Sequence, residues 1–302
     1  MYSDRFSLNV DGFILFDDSG FPVLKQEFVT TSISKPDVNL KRKYSRNCIP
    51  FSLKDKLPII SYIQSCFLPR TDLETATWDA RFVTHRAALS AMTSSCFKLF
   101  IEVFQERIFI RICEIENASR PKQTLEQKNL SAYSVAFLTD SDGQPDWRNY
   151  VLRRMKIGQH KVYFNALVDA KKKDGNLVEI RSRGGSKMSY LSAVKLLLEN
   201  YLTGIECSVI GYHDPTGKMT TVEHFSTNDS LSRKYNLKKE TLQIEIEMMD
   251  KILTEIDLFV ETNPEITKFN VVKFSERAGL KFIPNEEHEL LSDSFKERFE
   301  SL

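Results

Sequence analysis

Asp169 and the triplet Glu179-Ile180-Arg181 put two carboxylates and a guanidinium close together in the chain. Side chains along a strand alternate between its two faces. Over residues 162–169, read as a strand, Tyr163, Asn165, Leu167 and Asp169 therefore share a face; Leu177, Glu179 and Arg181 share one on the strand that follows. Residues 171–176, with Asp174-Gly175 at the tip, form a turn between them. A hairpin or a neighbouring pairing brings Asp169 beside Glu179 with Arg181 two residues on, and a helix residue such as Glu199 packs nearby. Two acids beside a cation suit phosphodiester hydrolysis. The carboxylates hold a hard divalent ion through oxygen, the ion activates water, and the cation steadies the nucleophile or the developing oxyanion. A plain surface ion pair satisfies the same pattern, so the residues alone leave both open.

The elements that must position these groups follow from periodicity. Residues 188–202 read as a helix with Leu191, Val194, Leu197, Leu198 and Tyr201 on one stripe and Gly204 placed to stop it. Residues 240–261 carry Leu242, Ile246, Met249, Ile252, Leu253, Ile256 and Phe259 on one face of a long helix. Shorter helices are expected at 53–68 and 82–92. Residues 97–104 and 107–115 form a hairpin across Gln105-Glu106, and 207–212 pairs with 220–225 around Asp214-Pro215-Thr216-Gly217. Short strands fill 7–35, with a turn at Asp17-Asp18-Ser19-Gly20; residues 116–130 lead through a loop into a helix, and 140–147 form another loop. Residues 285–302 are charged and expected as a peripheral tail or short helix.

Composition bounds the class. The 302 residues, 41% hydrophobic and 27% charged, suffice to bury a full core as one large domain or two small ones. Lys+Arg 42 against Asp+Glu 41 leaves a net charge of +1, which announces no global affinity for nucleic acid but permits a local basic groove. The cysteines Cys48, Cys66, Cys96, Cys113 and Cys207 include no Cys-x-x-Cys spacing, so they read as free thiols of a reducing compartment. No apolar run approaches the about 20 residues that span a bilayer, and residues 1–10 lack a signal core. The expectation is a soluble protein of nucleus or cytoplasm, with no membrane partner. On that reading the Asn117-Ala118-Ser119 sequon is fortuitous and the basic run 41–46 is a solvated loop.

Asp169, Glu179-Ile180-Arg181 and a following helix with Glu199 resemble the PD-(D/E)XK nuclease core, with arginine where lysine is usual. The resemblance then narrows. Phe164-Asn165-Ala166-Leu167-Val168-Asp169, Leu177-Val178-Glu179-Ile180-Arg181-Ser182, residues 195–205 and Val209-Ile210-Gly211-Tyr212-His213-Asp214 fall in the order and spacing of the DXO decapping exoribonucleases. Phe82-Val83-Thr84-His85-Arg86 looks like that family's Trp-Arg-Gly segment, and Ala132-Tyr133-Ser134-Val135-Ala136 like its Gly-aromatic-x-apolar-Glu segment. Arg5-Phe6-Ser7-Leu8 and residues 35–40 look similar too, so the resemblance spans about residues 5–260, carried by joint order rather than by one motif.

The resemblance implies an α+β fold of two mixed sheets flanked by helices, in one compact domain over 1–302. It implies Asp169, Glu179 and the backbone carbonyl of Ile180 as ligands of Mg²⁺ or Mn²⁺, and Arg86 as a contact to RNA phosphate. It also marks departures. Ala136 stands for the family's glutamate, Leu167 for the first acid of Glu-x-Asp, Arg181 for the catalytic lysine, Glu199 for a glutamine and His213 for an arginine. Fewer oxygen ligands hold a divalent ion less well. Arginine cannot move a proton as lysine can, yet it binds phosphate in bidentate fashion.

Three functions therefore stand side by side. The first is an RNA 5′-end binder with feeble or absent turnover, in which Arg86, Arg181 and the loops 171–173 and 183–187, Lys187 included, meet phosphates. The second is an active decapping nuclease and 5′→3′ exoribonuclease, serving RNA quality control. Its site is rebuilt on Asp169, Glu179, Arg181 and Glu199, and it also takes non-canonical NAD caps. The third is a protein-interaction scaffold without RNA binding. Relatives in some lineages pair with a 5′→3′ exoribonuclease, though no residue here marks such an interface. His213, at a strand end, reads as turn packing ahead of a catalytic base.

Overall fold

The computed structural model describes residues 4–9, 13–30, 32–34, 36, 38–40, 57–113, 125–140 and 147–300. The basic run 41–46, Cys48 and the sequon 117–119 lie outside them. Among the described residues the strands are β1 (Arg5–Asn9), β2 (Ile14–Leu15), β3 (Ile33–Ser34), β4 (Phe82–His85), β5 (Phe97–Phe104), β6 (Arg107–Cys113), β7 (Trp147–Ile157), β8 (His160–Val168), β9 (Ala170–Lys171), β10 (Leu177–Gly184), β11 (Cys207–His213), β12 (Met219–Ser226), β13 (Lys268–Lys273) and β14 (Lys281–Pro284). The α-helices are α1 (Pro58–Cys66), α2 (Leu73–Ala76), α3 (Arg86–Met92), α4 (Leu125–Leu138), α5 (Tyr190–Thr203), α6 (Ser232–Tyr235), α7 (Lys239–Thr262) and α8 (Asp293–Phe299).

The fold is α+β with two mixed sheets flanked by helices. A nine-stranded sheet runs β14-β13-β5-β6-β4-β8-β7-β1-β2, with β4 parallel to both β6 and β8. A five-stranded sheet runs β3-β12-β11-β10-β9, with β10 parallel to β11. Parallel neighbours need a crossover, and α5 supplies it between β10 and β11. Ser189 caps the start of α5 by accepting from Ser192 N, and Gly204 ends it at φ 72, where a residue without Cβ carries no strain.

Helix α5 lies between the two sheets because two of its faces are apolar. Leu198 and Leu202 pack with α3, α7 and the large sheet through Leu89, Met249, Ile252 and Phe164. Ala193, Val194, Leu196 and Leu197 pack on the small sheet through Ile210, Tyr212 and Phe225. Burying each such leucine contributes about 1.5–3 kcal/mol. The far face of the large sheet is covered by α1, α2 and α8, and that of the small sheet by α4.

Several expectations change. Residues 82–92 are not one helix: Phe82, Val83 and Thr84 are fully buried between parallel neighbours β6 and β8, a setting that favours extended backbone, and the helix begins at Arg86. Of the tail or short helix expected at 285–302, the helix forms as α8, and it is anchored rather than peripheral, since Leu290, Leu291, Phe295 and Phe299 are buried. Strands β7, β13 and β14 were not foreseen. Among the described residues no helix is long and apolar enough to cross a membrane.

Candidate nucleic-acid site

The chain passes from one sheet to the other at Asp169, the single residue between β8 and β9. The expected long hairpin is thus split. β8 pairs with β7 and β4 in the large sheet, and only Ala170 and Lys171 pair back onto β10. That short register, Val178 to Ala170, sets Asp169 opposite Glu179. Asp169 Oδ2 accepts the Ile180 backbone N–H at 2.9 Å.

Two helices complete the cluster. From α3, Arg86 donates through Nη1 to Glu179 Oε2 at 2.9 Å and to Thr203 Oγ1 at 3.1 Å, and through Nη2 to Glu179 Oε1 at 3.4 Å. From α5, Glu199 accepts from Ser90 Oγ at 3.2 Å and has Lys195 Nζ at 3.9 Å. Arg181 Nη2 bridges the two acids, 2.5 Å from Glu179 Oε1 and paired with Glu199 Oε2. Glu179 is 1% exposed, and the Arg86 and Arg181 side chains are 10% and 32% exposed. The structure thus brings Asp169, Glu179, Arg181, Glu199 and Arg86 together. Lys187 is exposed in the segment after β10 and, among the described residues, makes no ion pair with the cluster.

Burial and then the Glu179 charge push the Asp169 carboxyl up to about 6, against the opposing pull of Arg181, the Ile180 N–H and Arg86. For Glu199 burial acts upward, but Arg181, Arg86, Lys195 and the Ser90 hydroxyl outweigh it and hold the carboxyl low. Burial would lower Arg181, yet Glu179, Glu199 and Asp169 raise it, so its guanidinium stays charged.

A divalent ion needs several oxygens with free lone pairs. Both oxygens of Glu179 are occupied by guanidinium N–H groups, and Glu199 is paired as well. Leu167, 37% exposed, presents a hydrocarbon two residues before Asp169, and Ala136 is buried in the apolar cluster of Ala170 and Ile180. Among the described residues no group of three or more His, Cys, Asp or Glu side chains is placed to hold a metal. As arranged, these residues do not fit a bound Mg²⁺ or Mn²⁺. His213 is buried with Nδ1 3.0 Å from the Asp214 carbonyl oxygen, which suits turn packing.

Ser90, Thr203 and Lys195 were not anticipated as members of the cluster. The usable signal was helical spacing: Arg86 and Ser90, and likewise Glu199 and Thr203, stand four residues apart on single helix faces.

A family model described as RAI1 like PD-(D/E)XK nuclease matches residues 4–296. The chain belongs to this family. Among solved structures it is similar to S. pombe Rai1 in complex with 3′-FADP, at 17% identity over 92% of each chain and a TM-score of 0.68. Candida albicans Rai1 in complex with pU5-Mn²⁺ is 15% identical over 100% of this chain and 96% of that one, with a TM-score of 0.68. K. lactis Dxo1 in complex with manganese is 12% identical over 95% and 90%, with a TM-score of 0.64. At these identities the solved structures show the fold. A search of curated proteins finds no match.

Proposed function

We propose that this RAI1-like protein binds RNA 5′ ends at the Arg86–Arg181 cluster and has feeble or no metal-dependent turnover. The observation that carries the reading is the double engagement of Glu179: Arg86 and Arg181 occupy both oxygens that a divalent ion would need. A cation entering the cluster has to displace a guanidinium already desolvated with its partner. Binding does not face that obstacle. Among the described residues Arg181 engages the acids through Nη2, which leaves Nε and Nη1 to meet a phosphate. Family membership and the pU5 and 3′-FADP complexes of the relatives support an RNA or nucleotide 5′ end as the ligand class. On this reading Arg86, Arg181 and Lys187 serve binding. Asp169, Glu179, the Ile180 carbonyl and Glu199 form the remnant of an ion site.

The test is incubation with capped, NAD-capped and 5′-monophosphate RNA in Mn²⁺, beside Asp169→Asn, with binding measured separately at low salt. Salt-sensitive binding without product is expected. Metal-dependent product that the variant loses would establish instead an active decapping nuclease, whose site reorganises when ion and RNA arrive together. Absence of binding at low salt, unchanged by Arg86→Ala, would leave the scaffold reading.

A further inference from the structure

Alternation along β10 puts Glu179, Arg181 and Arg183 on one face of the small sheet, and the parallel register sets Arg181 beside Ile210 and Arg183 beside Tyr212. This face looks toward α5 and α6, since Ile210 and Tyr212 pack there. Glu179 is taken by two arginines and Glu199 by Arg181 and Lys195. The other acid on this face, Glu223 beside Ile210, is paired with Lys234. Among the described residues the Arg183 side chain makes no ion pair or hydrogen bond, and its Nε is buried without an acceptor. Burial, then Arg181 two residues away, disfavour its charge and outweigh the attraction of Glu199, Tyr212 and Tyr235.

Five cations, Arg86, Arg181, Arg183, Lys195 and Lys234, thus face four carboxylates, Asp169, Glu179, Glu199 and Glu223. An arginine is always charged, and leaving it desolvated without a counter-ion is unfavourable. An unpaired buried polar atom in a native fold calls for a cause. An anionic ligand supplies one.

We propose that Arg183 is a second phosphate subsite, holding the phosphate next to the one met by Arg181; this rests on the RNA-binding reading above. Side chains two residues apart on a strand are about 7 Å apart, comparable to the step between successive phosphates of an extended single strand. The Tyr212 hydroxyl, on the residue beside Arg183 in the parallel register, is a further donor.

Anisotropy of a labelled 5′-phosphorylated five-nucleotide oligouridylate, titrated over a salt series, tests this with Arg183→Gln and Arg183→Lys. Arg183→Gln is expected to weaken binding about tenfold at low salt and to reduce the slope of log K against log salt by about 0.7. Arg183→Lys keeps the slope. Without ligand, Arg183→Gln melts at or above the wild-type temperature, whereas an arginine with a merely structural role would melt lower. Equal affinity and slope in wild type and Arg183→Gln overturns the subsite and leaves the RNA-binding reading intact. If the wild type itself binds no oligouridylate, the RNA-binding reading falls. Inorganic pyrophosphate then decides the anion site: thermal stabilisation of wild type but not of Arg183→Gln retains it, and no stabilisation removes it.

Discussion

Replacing Glu179 by alanine removes the acceptor that Arg86 and Arg181 share, and the sign of the stability change separates two kinds of site. Arg86 would keep its hydrogen bond to Thr203, and Arg181 its pairing with Glu199. Truncating one partner of a buried ion pair costs about 3–5 kcal/mol, because a desolvated charge is left behind. Since Arg181 retains one acid, the lower end applies, about 3 kcal/mol. In a chain of 302 residues that is a fall of several degrees in Tm. An ion site without its ion behaves oppositely. Its carboxylates repel one another, so deleting one leaves stability unchanged or higher. Thermal and urea melts of wild type and Glu179→Ala in chelator, repeated with Mn²⁺, give the comparison. Wild type is expected to be insensitive to Mn²⁺, since binding would stabilise it by mass action. A Glu179→Ala protein as stable as wild type in chelator, together with a Mn²⁺-dependent rise for wild type, would refute the arginine lock.

Asp169→Asn should stabilise the fold by about 1–3 kcal/mol near neutral pH. The native carboxyl is raised from 3.8 to about 6, so the folded state binds the extra proton and stability falls as pH rises through that window; urea melts across it should show the slope in wild type and its loss in the variant. Combining Ala136→Glu, Leu167→Glu and Arg181→Lys is expected to create Mn²⁺-dependent cleavage of capped RNA that Arg181→Lys alone does not, measured by product release. Glu102→Ala should cost about 3 kcal/mol, because this buried acid accepts from the Leu290 and Leu291 backbone N–H groups at 2.7 and 3.0 Å and pairs with Lys296 at 2.8 Å. Limited proteolysis should then cut first near α8; an unchanged digestion pattern would contradict that anchoring role.

Legibility in the sequence followed how local each cause was. The stripes of α5 and α7, the Gly204 stop and the β5–β6 hairpin are written in neighbouring residues, and they stand close to where the periodicity put them. Strand β7 was hidden because the apolar run Tyr150-Val151-Leu152 ends in the pair Arg153-Arg154, which breaks the alternation before Met155, Lys156 and Ile157 resume it. Both arginines find distant partners: Arg153 donates to the Thr203 carbonyl, and Arg154 lies 3.6 Å above the Trp78 ring. The stretch 82–85 is a short apolar run, which periodicity cannot assign between helix and strand. In the site, period-two alternation places Asp169, Glu179 and Arg181, but it says nothing of Arg86, which reaches Glu179 across 93 residues of chain. The neutralisation of the acids is therefore tertiary information.

Position 181 ties the site together. A lysine there would bring one compact ammonium that can give up a proton when buried. Arg181 is a planar donor array, and its Nη2 alone bridges Glu179 and Glu199 while Arg86 closes on Glu179 from the other side. The guanidinium thereby supplies the charge balance that an ion would supply, but not the bound water. On the proposed reading, acids neutralised from within the protein do not draw a divalent cation, and Arg183, whose buried Nε has no acceptor among the described residues, turns the same cleft toward anions. The proposed weak hold on metal and the proposed affinity for phosphate then meet in one strand, and exchanging Arg181 alone should not create cleavage while Ala136 and Leu167 offer no oxygen ligand.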